Sequence, residues 1–448
     1  MFADPHWRKR LWADIEQPWD IVVIGGGITG AGILREAARA GLRVLLVEQG
    51  DFAAGTSCAS SKLIHGGLRY LAAGEWQLTL ESVREREALL KAAPGLVQPL
   101  PFLLPMYRGI RPGRLVMGAA LGLYDLMARR RSSFFLPPRR AAWRMPYLRD
   151  EGCRGAFLYQ DAVTDDARLV LRVLSEALAD GAAAANYCAV ESLIKTQGRV
   201  TGVRLHDRVL GCSAEVPAGA VINATGPWAD ELRAGVQGEA RLRPLRGSHF
   251  LFPFHRLPLG QAFTLFHPQD HRPLFAFPWQ GASLVGTTDL DHHQPPDTPV
   301  RMHPAEADYL IEALAHYFPT LGLTAADAVS SYAGVRPVVR SGAASPSMES
   351  RETALWSEAG LLTVTGGKLT TYRHTALKAL AMLASRFPAL QRLDAAAPIL
   401  TRAGDDQLAG RHGRWCAELR EQMPTEENRP VAGTDVTWAE LRWCLRRE

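Results

Sequence analysis

Apolar residues along the chain fall into two periods. Asp20-Ile21-Val22-Val23-Ile24 is a short, nearly continuous apolar run, the pattern of a strand buried on both faces. It runs directly into Gly25-Gly26-Gly27-Ile28-Thr29-Gly30-Ala31-Gly32. The stretch ILREAARAG that follows has helical spacing and ends on Gly41 in C-cap position. Leu42 to Val47 predicts a second strand, closed by Glu48, so one βαβ unit occupies about 30 residues. Downstream, residues 75–93 predict an amphipathic helix. DDARLVLRVLSEALADG, near 165–180, predicts another, with an acidic start and a glycine stop. Residues 189–225 alternate as hairpin pieces and then a strand, AGAVINATG. Strands rich in aromatics and proline are expected over 243–290, and a helix over 304–317. Ser331–Val338 and Leu361–Val364 read as strands, and Gly366-Gly367-Lys368 as the opening of a helix reaching about 386. Helical pieces close the chain near 405–422 and 437–447. Residues 1–18 read as an aperiodic lead-in, 55–67 as a Gly/Ser-rich loop, and 94–150 as Pro- and Arg-rich around an apolar patch.

The glycines carry the first chemical signal. Gly25, Gly27 and Gly30 satisfy G-x-G-x-x-G between a strand and a helix. The first permits a tight turn and the second lets the backbone approach a pyrophosphate. The third allows close helix–strand packing, with the helix N-terminus facing the anion. Glu48 stands where an acid grips an adenosine ribose. This unit serves NAD and FAD alike; two later segments separate them. Val221-Ile222-Asn223-Ala224-Thr225-Gly226 and Thr363-Val364-Thr365-Gly366-Gly367-Lys368 are apolar strands ending in A-T-G and G-G-K. Flavoproteins of the glutathione-reductase and D-amino-acid-oxidase type return such strands to the cofactor. A helix N-terminus after Gly367 would stabilise the anion formed when a flavin is reduced. The expected fold is therefore α/β. It combines an FAD-binding Rossmann-type domain, an inserted, mostly antiparallel β substrate domain and a short C-terminal helical region.

Composition adds exclusions. With 47% hydrophobic and 22% charged residues over 448, the chain is of ordinary globular type. A formal net charge of +5 is too small to expect a nucleic-acid partner. The six cysteines form no C-x-x-C pair, so neither a disulfide framework nor a metal site is expected, and a reducing compartment is. No secretory signal is evident, and no run of 18 apolar residues occurs. Only six of the 51 basic residues are lysine, which singles out Lys368. A cation at a strand–helix junction opposes the helix dipole unless it serves an anion or a flavin edge.

The run Ser60-Ser61-Lys62-Leu63-Ile64-His65-Gly66-Gly67-Leu68-Arg69-Tyr70-Leu71 resembles the flavin-proximal loop of FAD-dependent glycerol-3-phosphate dehydrogenases. So do Asp165-Asp166-Ala167-Arg168-Leu169, Asn223-Ala224-Thr225-Gly226-Pro227-Trp228, Gly247-Ser248-His249 and Gly286-Thr287-Thr288-Asp289. Gly334-Val335-Arg336-Pro337 and Gly366-Gly367-Lys368-Leu369-Thr370-Thr371-Tyr372-Arg373 complete the series, in order, over about 18–380. The resemblance implies oxidation of sn-glycerol 3-phosphate to dihydroxyacetone phosphate by hydride transfer to flavin N5, with electrons passed to a quinone. It implies FAD contacts from Gly25, Gly27, Ile28, Thr29, Gly30 and Glu48. The loop would add Thr56, Ser57, Ser60, Ser61, Lys62, Leu63, His65, Gly66 and Gly67. The later strands would add Ala224, Thr225, Gly226 and Trp228, then Gly366, Gly367, Lys368, Leu369 and Thr370.

Arg69 and Arg336 match the family's phosphate-holding positions, where a bidentate guanidinium suits better than a lysine. His249, Arg336 and Lys368 are the implied catalytic groups; Tyr70, His249 and Thr370 are further substrate contacts. The base that takes the hydroxyl proton is left open, and Asp289 reads equally as a turn residue. The FAD domain is expected to be discontinuous, over 1–90, 152–235 and 335–387. Residues 91–151 and 236–334 would bind substrate, and 388–448 would form a C-terminal helical cap shorter than the family's. A homodimer fits this organisation. Two other readings stay open: an oxygen-using flavin oxidase of glycerol 3-phosphate, amines or amino acids, and a non-catalytic FAD-binding scaffold.

One segment bears on location. Residues 115–127, LVMGAALGLYDLM, are nearly all apolar, and residues 107–144 carry nine arginines against one acid, Asp125. Such a segment is too short to span a bilayer but suits an anionic interface, where each cation contributes about 1 kcal/mol. Together with the family's habit, this leads to the expectation of a cytoplasmic protein held peripherally on the inner face of the cytoplasmic membrane.

Overall fold

The computed structural model describes residues 6–447 except 69–70, 72–73, 110–111, 296, 343–348 and 350–351. Its first layer grows from the run that begins the βαβ unit. Trp19–Ile24 pairs in parallel with Val44–Val47 on one side and Cys212–Asn223 on the other. Leu361–Thr365 extends the parallel set beyond Cys212–Asn223, and Ala183–Ala185 beyond Val44–Val47. Ile21, Val22 and Val23 are completely buried between helices and neighbouring strands. Each such side chain stabilises the fold by about 1.5–3 kcal/mol. Helix Ile28–Arg39 covers this sheet beside Asp166–Ala179 and Tyr372–Ala381 in one apolar core. Gly32 permits the approach of Tyr372–Ala381, since a Cβ there would lie 2.7 Å from Tyr372 Cδ2.

The second layer is a ten-stranded sheet. Its order runs Leu290–Asp291, Leu242–Pro253, Ala282–Gly286, Pro273–Trp279, Ala262–Phe266, Val97–Tyr107, Cys153–Thr164 and Leu63–Ile64. Ser330–Val339 adds to Leu242–Pro253, and Phe134–Leu136 to Cys153–Thr164. Pairing is antiparallel except between Ala262–Phe266 and Val97–Tyr107. The layers are stitched together by the 55–67 loop, which leaves the first sheet after Val44–Val47 and adds Leu63–Ile64 to the second.

Three sequence expectations change. The lead-in contains a helix, Trp7–Ala13, which buries Leu11 and is tied down by Arg8 and Trp12 donating to Asp207. Its stability comes from that distant carboxylate, which no local period reports. The Pro- and Arg-rich stretch contains an eleven-residue strand, Val97–Tyr107. Its prolines, at 99, 101 and 105, fall on alternate positions, so their missing N–H groups share one side of the strand. The helix expected from Gly366 begins instead at Tyr372. Gly366 and Gly367 both have positive φ, +72° and +70°, which a helix cannot use.

Candidate active site

Parallel pairing brings three loop segments to the same carboxyl edge of the first sheet, as an open α/β sheet requires of a ligand site. Gly25, with φ +112°, packs so tightly against the A-T-G segment that a Cβ would lie 2.5 Å from the Ala224 carbonyl. A Cβ on Gly30 would lie 1.9 Å from the Gly25 carbonyl, so only glycine allows this helix to approach the strand. Beside Gly27, within 4 Å of a Cβ, only the Ser57 side chain is met, leaving backbone to face a pyrophosphate. Thr29 lies in the first turn of Ile28–Arg39, whose Ile28 N–H donates to Ser57 Oγ at 2.9 Å. Glu48 accepts from Gly26 N at 2.7 Å and Gly50 N at 2.8 Å. Burial raises its proton affinity while these N–H groups hold the carboxylate form. At the same edge Thr225 donates from N and Oγ1 to Asn223 Oδ1, and Trp228 packs on Gly55 and donates to Asp297 at 2.7 Å. Gly226 turns the chain with φ +59°. Thr365 Oγ1, just before Gly366, is buried with no hydrogen-bond partner among the described residues. A hydroxyl with no partner among the described residues, glycines that bring the backbone close and a buried carboxylate at the end of the second strand, all on one edge, fit an FAD.

The 55–67 loop is held from beneath. Thr56 Oγ1 donates to the Val335 carbonyl at 2.5 Å, tying the loop to Ser330–Val339. Asp166 accepts from Ser60 N (3.1 Å), Ser60 Oγ (2.6 Å) and Lys62 Nζ (2.6 Å). Lys62 is buried, lies over the rings of Trp279 and Tyr332, and also donates to the Cys58 carbonyl. Its ammonium is thus part of the loop's foundation. Asp166 was not among the expected site residues, although the doubled acid at the helix start was a signal. Asp165 caps the helix through Arg168 N, and Asp166 accepts from Ala167 N at 2.9 Å while its carboxylate also reaches the loop. Leu63 enters the second sheet, and Gly66 N–H donates to Tyr124 Oη at 2.8 Å and Asp161 Oδ1 at 3.1 Å.

Above the loop lies a cavity of about 900 Å³. Ser60, Ser61, Leu63, His65 and Gly67 form one side, and Gly366, Gly367, Lys368, Leu369 and Thr370 another. Thr287, Thr288, Asp289, Arg336 and Arg272 form a charged wall. Arg336 donates to the Thr288 carbonyl (3.1 Å), Asp289 Oδ1 (3.0 Å) and Thr287 Oγ1 (2.7 Å). Asp289 is therefore more than a turn residue: it is a buried carboxylate that orients a cavity arginine. Lys368 Nζ reaches Ser82 Oγ at 3.5 Å, and Thr370 Oγ1 donates to the His65 carbonyl at 3.4 Å.

His249 stands one layer back. It is fully buried behind Ser61, with Nε2 2.9 Å from Ser61 Oγ and its ring stacked on Tyr332 at 4.7 Å. Its Nδ1 has no partner among the described residues. Burial first, then the Arg336 and Lys62 cations, push its proton affinity well below the usual histidine range, so the ring is neutral at physiological pH. Arg69 and Tyr70 lie outside the described residues. Arg272 and Asp161, which also line the cavity, were missed; nothing in their local sequence marks them, because separate elements bring them to the wall.

Part of the cavity lining is an apolar cluster. Leu68, Leu71, Trp76, Val116, Ala120 and Leu123 supply this part, and Val116 is 62% exposed. Val116 belongs to helix Arg114–Met127, whose Leu115 and Leu126 also face outward. A shallow crease on this helix is lined by Leu126, Phe134 and the run Arg129–Arg131. No helix among the described residues is long and apolar enough to cross a membrane.

A family model for FAD-dependent oxidoreductases matches residues 20–373. An aerobic glycerol-3-phosphate dehydrogenase of Staphylococcus saprophyticus is 37% identical over 387 residues, spanning 85% of this chain and 69% of the relative. One from Staphylococcus aureus is 37% identical over 382 residues, spanning 84% of this chain and 68% of the relative. The structure of a glycerol-3-phosphate dehydrogenase from Bacillus halodurans complexed with FAD superposes with a TM-score of 0.75. It is 32% identical and covers 94% of this chain and 74% of that one. Matching motifs, the three-strand cofactor edge and these relatives agree: the chain belongs to the FAD-dependent oxidoreductase family and, within it, to the aerobic glycerol-3-phosphate dehydrogenases.

Proposed function

We propose that the protein oxidises sn-glycerol 3-phosphate to dihydroxyacetone phosphate and delivers the electrons to a quinone while resting on an anionic membrane surface. The observation that carries this reading is the two-fold lining of one cavity. Its lining joins the cations Arg336, Arg272 and Lys368 to an apolar set that includes the exposed Val116 and Trp76. A phosphorylated alcohol is recognised by the first set, and a lipid-soluble acceptor by the second.

FAD, when bound, supplies the hydride acceptor. The residues that would hold it are the Gly25–Gly30 turn, Glu48, the 55–67 loop, Ala224–Gly226 and Gly366–Thr370. The chain's own contribution is binding, orientation and proton handling. Arg336, fixed by three acceptors, offers a cation that does not have to reorganise when phosphate arrives. Lys368 adds a further cation to the lining of the same cavity. Ser61 Oγ is the cavity-facing end of the Ser61–His249 pair and is placed to orient the substrate hydroxyl. His249 Nε2 holds that serine and, being neutral, can accept a proton through it. The first sheet with its helices works as the cofactor half. The second sheet works as the roof over the substrate, and it includes Leu63–Ile64 and Cys153–Thr164 from stretches expected to belong to the cofactor half.

An anaerobic visible spectrum before and after sn-glycerol 3-phosphate tests the chemistry. A flavin band that bleaches supports it. A band that persists removes the substrate and directs attention to amines and amino acids. Reoxidation of the bleached protein by a short-chain quinone faster than by oxygen supports the acceptor; the reverse order favours an oxidase.

A further inference from the structure

The charge balance of the cavity wall leads to a residue that the motifs do not mark. Asp289 is buried and accepts from Arg336 at 3.0 Å, so this arginine and its carboxylate form a nearly neutral pair. A phosphate dianion needs a surplus of positive charge at such a wall. Arg272 supplies it. Its Nη2 lies 3.9 Å from the other Asp289 oxygen and its Nη1 3.5 Å from the Asp289 carbonyl, so one carboxylate stands between two guanidinium groups. The remaining ion contact of Arg272, to Asp270, is also long, at 3.9 Å. Arg243, by contrast, closes a tight fork on Asp291 at 2.6 and 2.9 Å. Arg272 is thus placed by anions without being consumed by them, and it lines the same cavity as Arg336.

Its direction is set by the turn before Pro273–Trp279. His267 N–H donates to the Arg272 carbonyl at 2.9 Å, and Arg272 N–H donates to Asp270 Oδ1 at 3.1 Å. Tyr309 Oη in turn holds Asp270 at 2.9 Å and lies beneath the guanidinium, its ring centre 5.9 Å away. A turn braced from a separate helix fixes the arginine at the wall.

We infer that Arg272 is a second phosphate-binding arginine, specific for the phosphate end of the substrate, and that Asp289 is the positioning carboxylate that spaces Arg272 and Arg336 for one phosphate group. This rests on the phosphate-ester substrate proposed above. The test is Arg272→Gln, with Arg272→Lys beside it, in the FAD-loaded protein. Anaerobic flavin bleaching gives an apparent Kd for sn-glycerol 3-phosphate and a limiting rate, and inorganic phosphate is titrated as a competitor. Arg272→Gln is expected to weaken both substrate and phosphate at least tenfold, to leave the limiting rate within twofold, and to retain FAD absorbance. Arg272→Lys should recover part of the loss. An unchanged Kd for both ligands overturns the assignment. So does a fall in limiting rate at constant Kd, which would place Arg272 at the reacting carbon. Wild-type protein that sn-glycerol 3-phosphate does not bleach overturns the substrate reading as well, so the two failures are distinguishable.

Discussion

At Arg336 the demands of folding and of ligand binding meet in one side chain. Three acceptors from Gly-Thr-Thr-Asp fix its guanidinium, and a side chain at Gly247 would collide with it, so both sequence motifs are needed to seat one cation. Arg336→Ala is expected to lower kcat/KM for sn-glycerol 3-phosphate at least 100-fold, about 3 kcal/mol of lost charged hydrogen bonding, with FAD retained. Steady-state kinetics beside the flavin spectrum check this. His249 makes a different prediction. Its folded proton affinity is depressed, so below about pH 6.5 the unfolded chain takes up a proton here that the folded chain does not. Stability therefore falls as pH drops below that value. The same depression means that His249 does not titrate between pH 6 and 8. His249→Gln should lower the rate of flavin reduction without changing the shape of its pH profile over that range. A wild-type inflection near 6.5 that vanishes in the variant would contradict the assignment.

At the scale of elements, the flavin-proximal loop owes its shape to helix Asp166–Ala179. Asp166→Ala would strip three loop donors and the Ala167 N–H of their acceptor and leave Lys62 buried without its carboxylate, a cost of about 3–5 kcal/mol. A lower unfolding midpoint together with loss of co-purifying FAD is expected; a lower midpoint with full FAD occupancy would show that the loop holds its form without this anchor. Helix Trp76–Ala92 carries a second titrating group. Burial, with Glu36 and Glu81 as like charges, pushes the Glu85 carboxyl up to about 7 against the pull of Arg373. The folded chain then binds a proton between about pH 4.5 and 7 that the unfolded chain releases, so stability declines as pH rises through that window. Glu85→Gln should stabilise the protein by about 1–2 kcal/mol at pH 8 and have little effect at pH 5, as read by urea unfolding at both pH values.

For the whole molecule, the informative feature is that the apolar part of the cavity lining and the arginine-rich surface share helix Arg114–Met127. A protein seated on this face would present its cavity to the lipid. Replacing Arg129, Arg130 and Arg131 together by Gln should reduce binding to vesicles containing anionic lipid about 100-fold at low salt, at about 1 kcal/mol per cation. The difference should shrink towards 0.5 M salt, where charges farther apart than a few ångströms are screened. Equal sedimentation of both proteins at low salt would remove the membrane surface as a partner.

The βαβ unit and its glycines were legible because their constraints are local. A buried parallel strand must be apolar, a tight turn into a helix must be glycine, and both appear as contiguous letters from Asp20 to Glu48. The A-T-G and G-G-K strand ends were legible for the same reason, as was the resemblance they support. Tertiary structure alone decided which charges face the cavity. Lys62, in the middle of the most specific motif, went to the foundation of the loop, because Asp166 and two aromatic rings give its ammonium a better environment there. His249 went behind Ser61, and Arg272, inside no motif, came to the wall. Spacing along a chain sets the secondary structure and the backbone cradle. The work of ionised groups depends on which oppositely charged partner lies within a few ångströms, and for Lys62 and Arg336 those partners are 104 and 47 residues away in sequence.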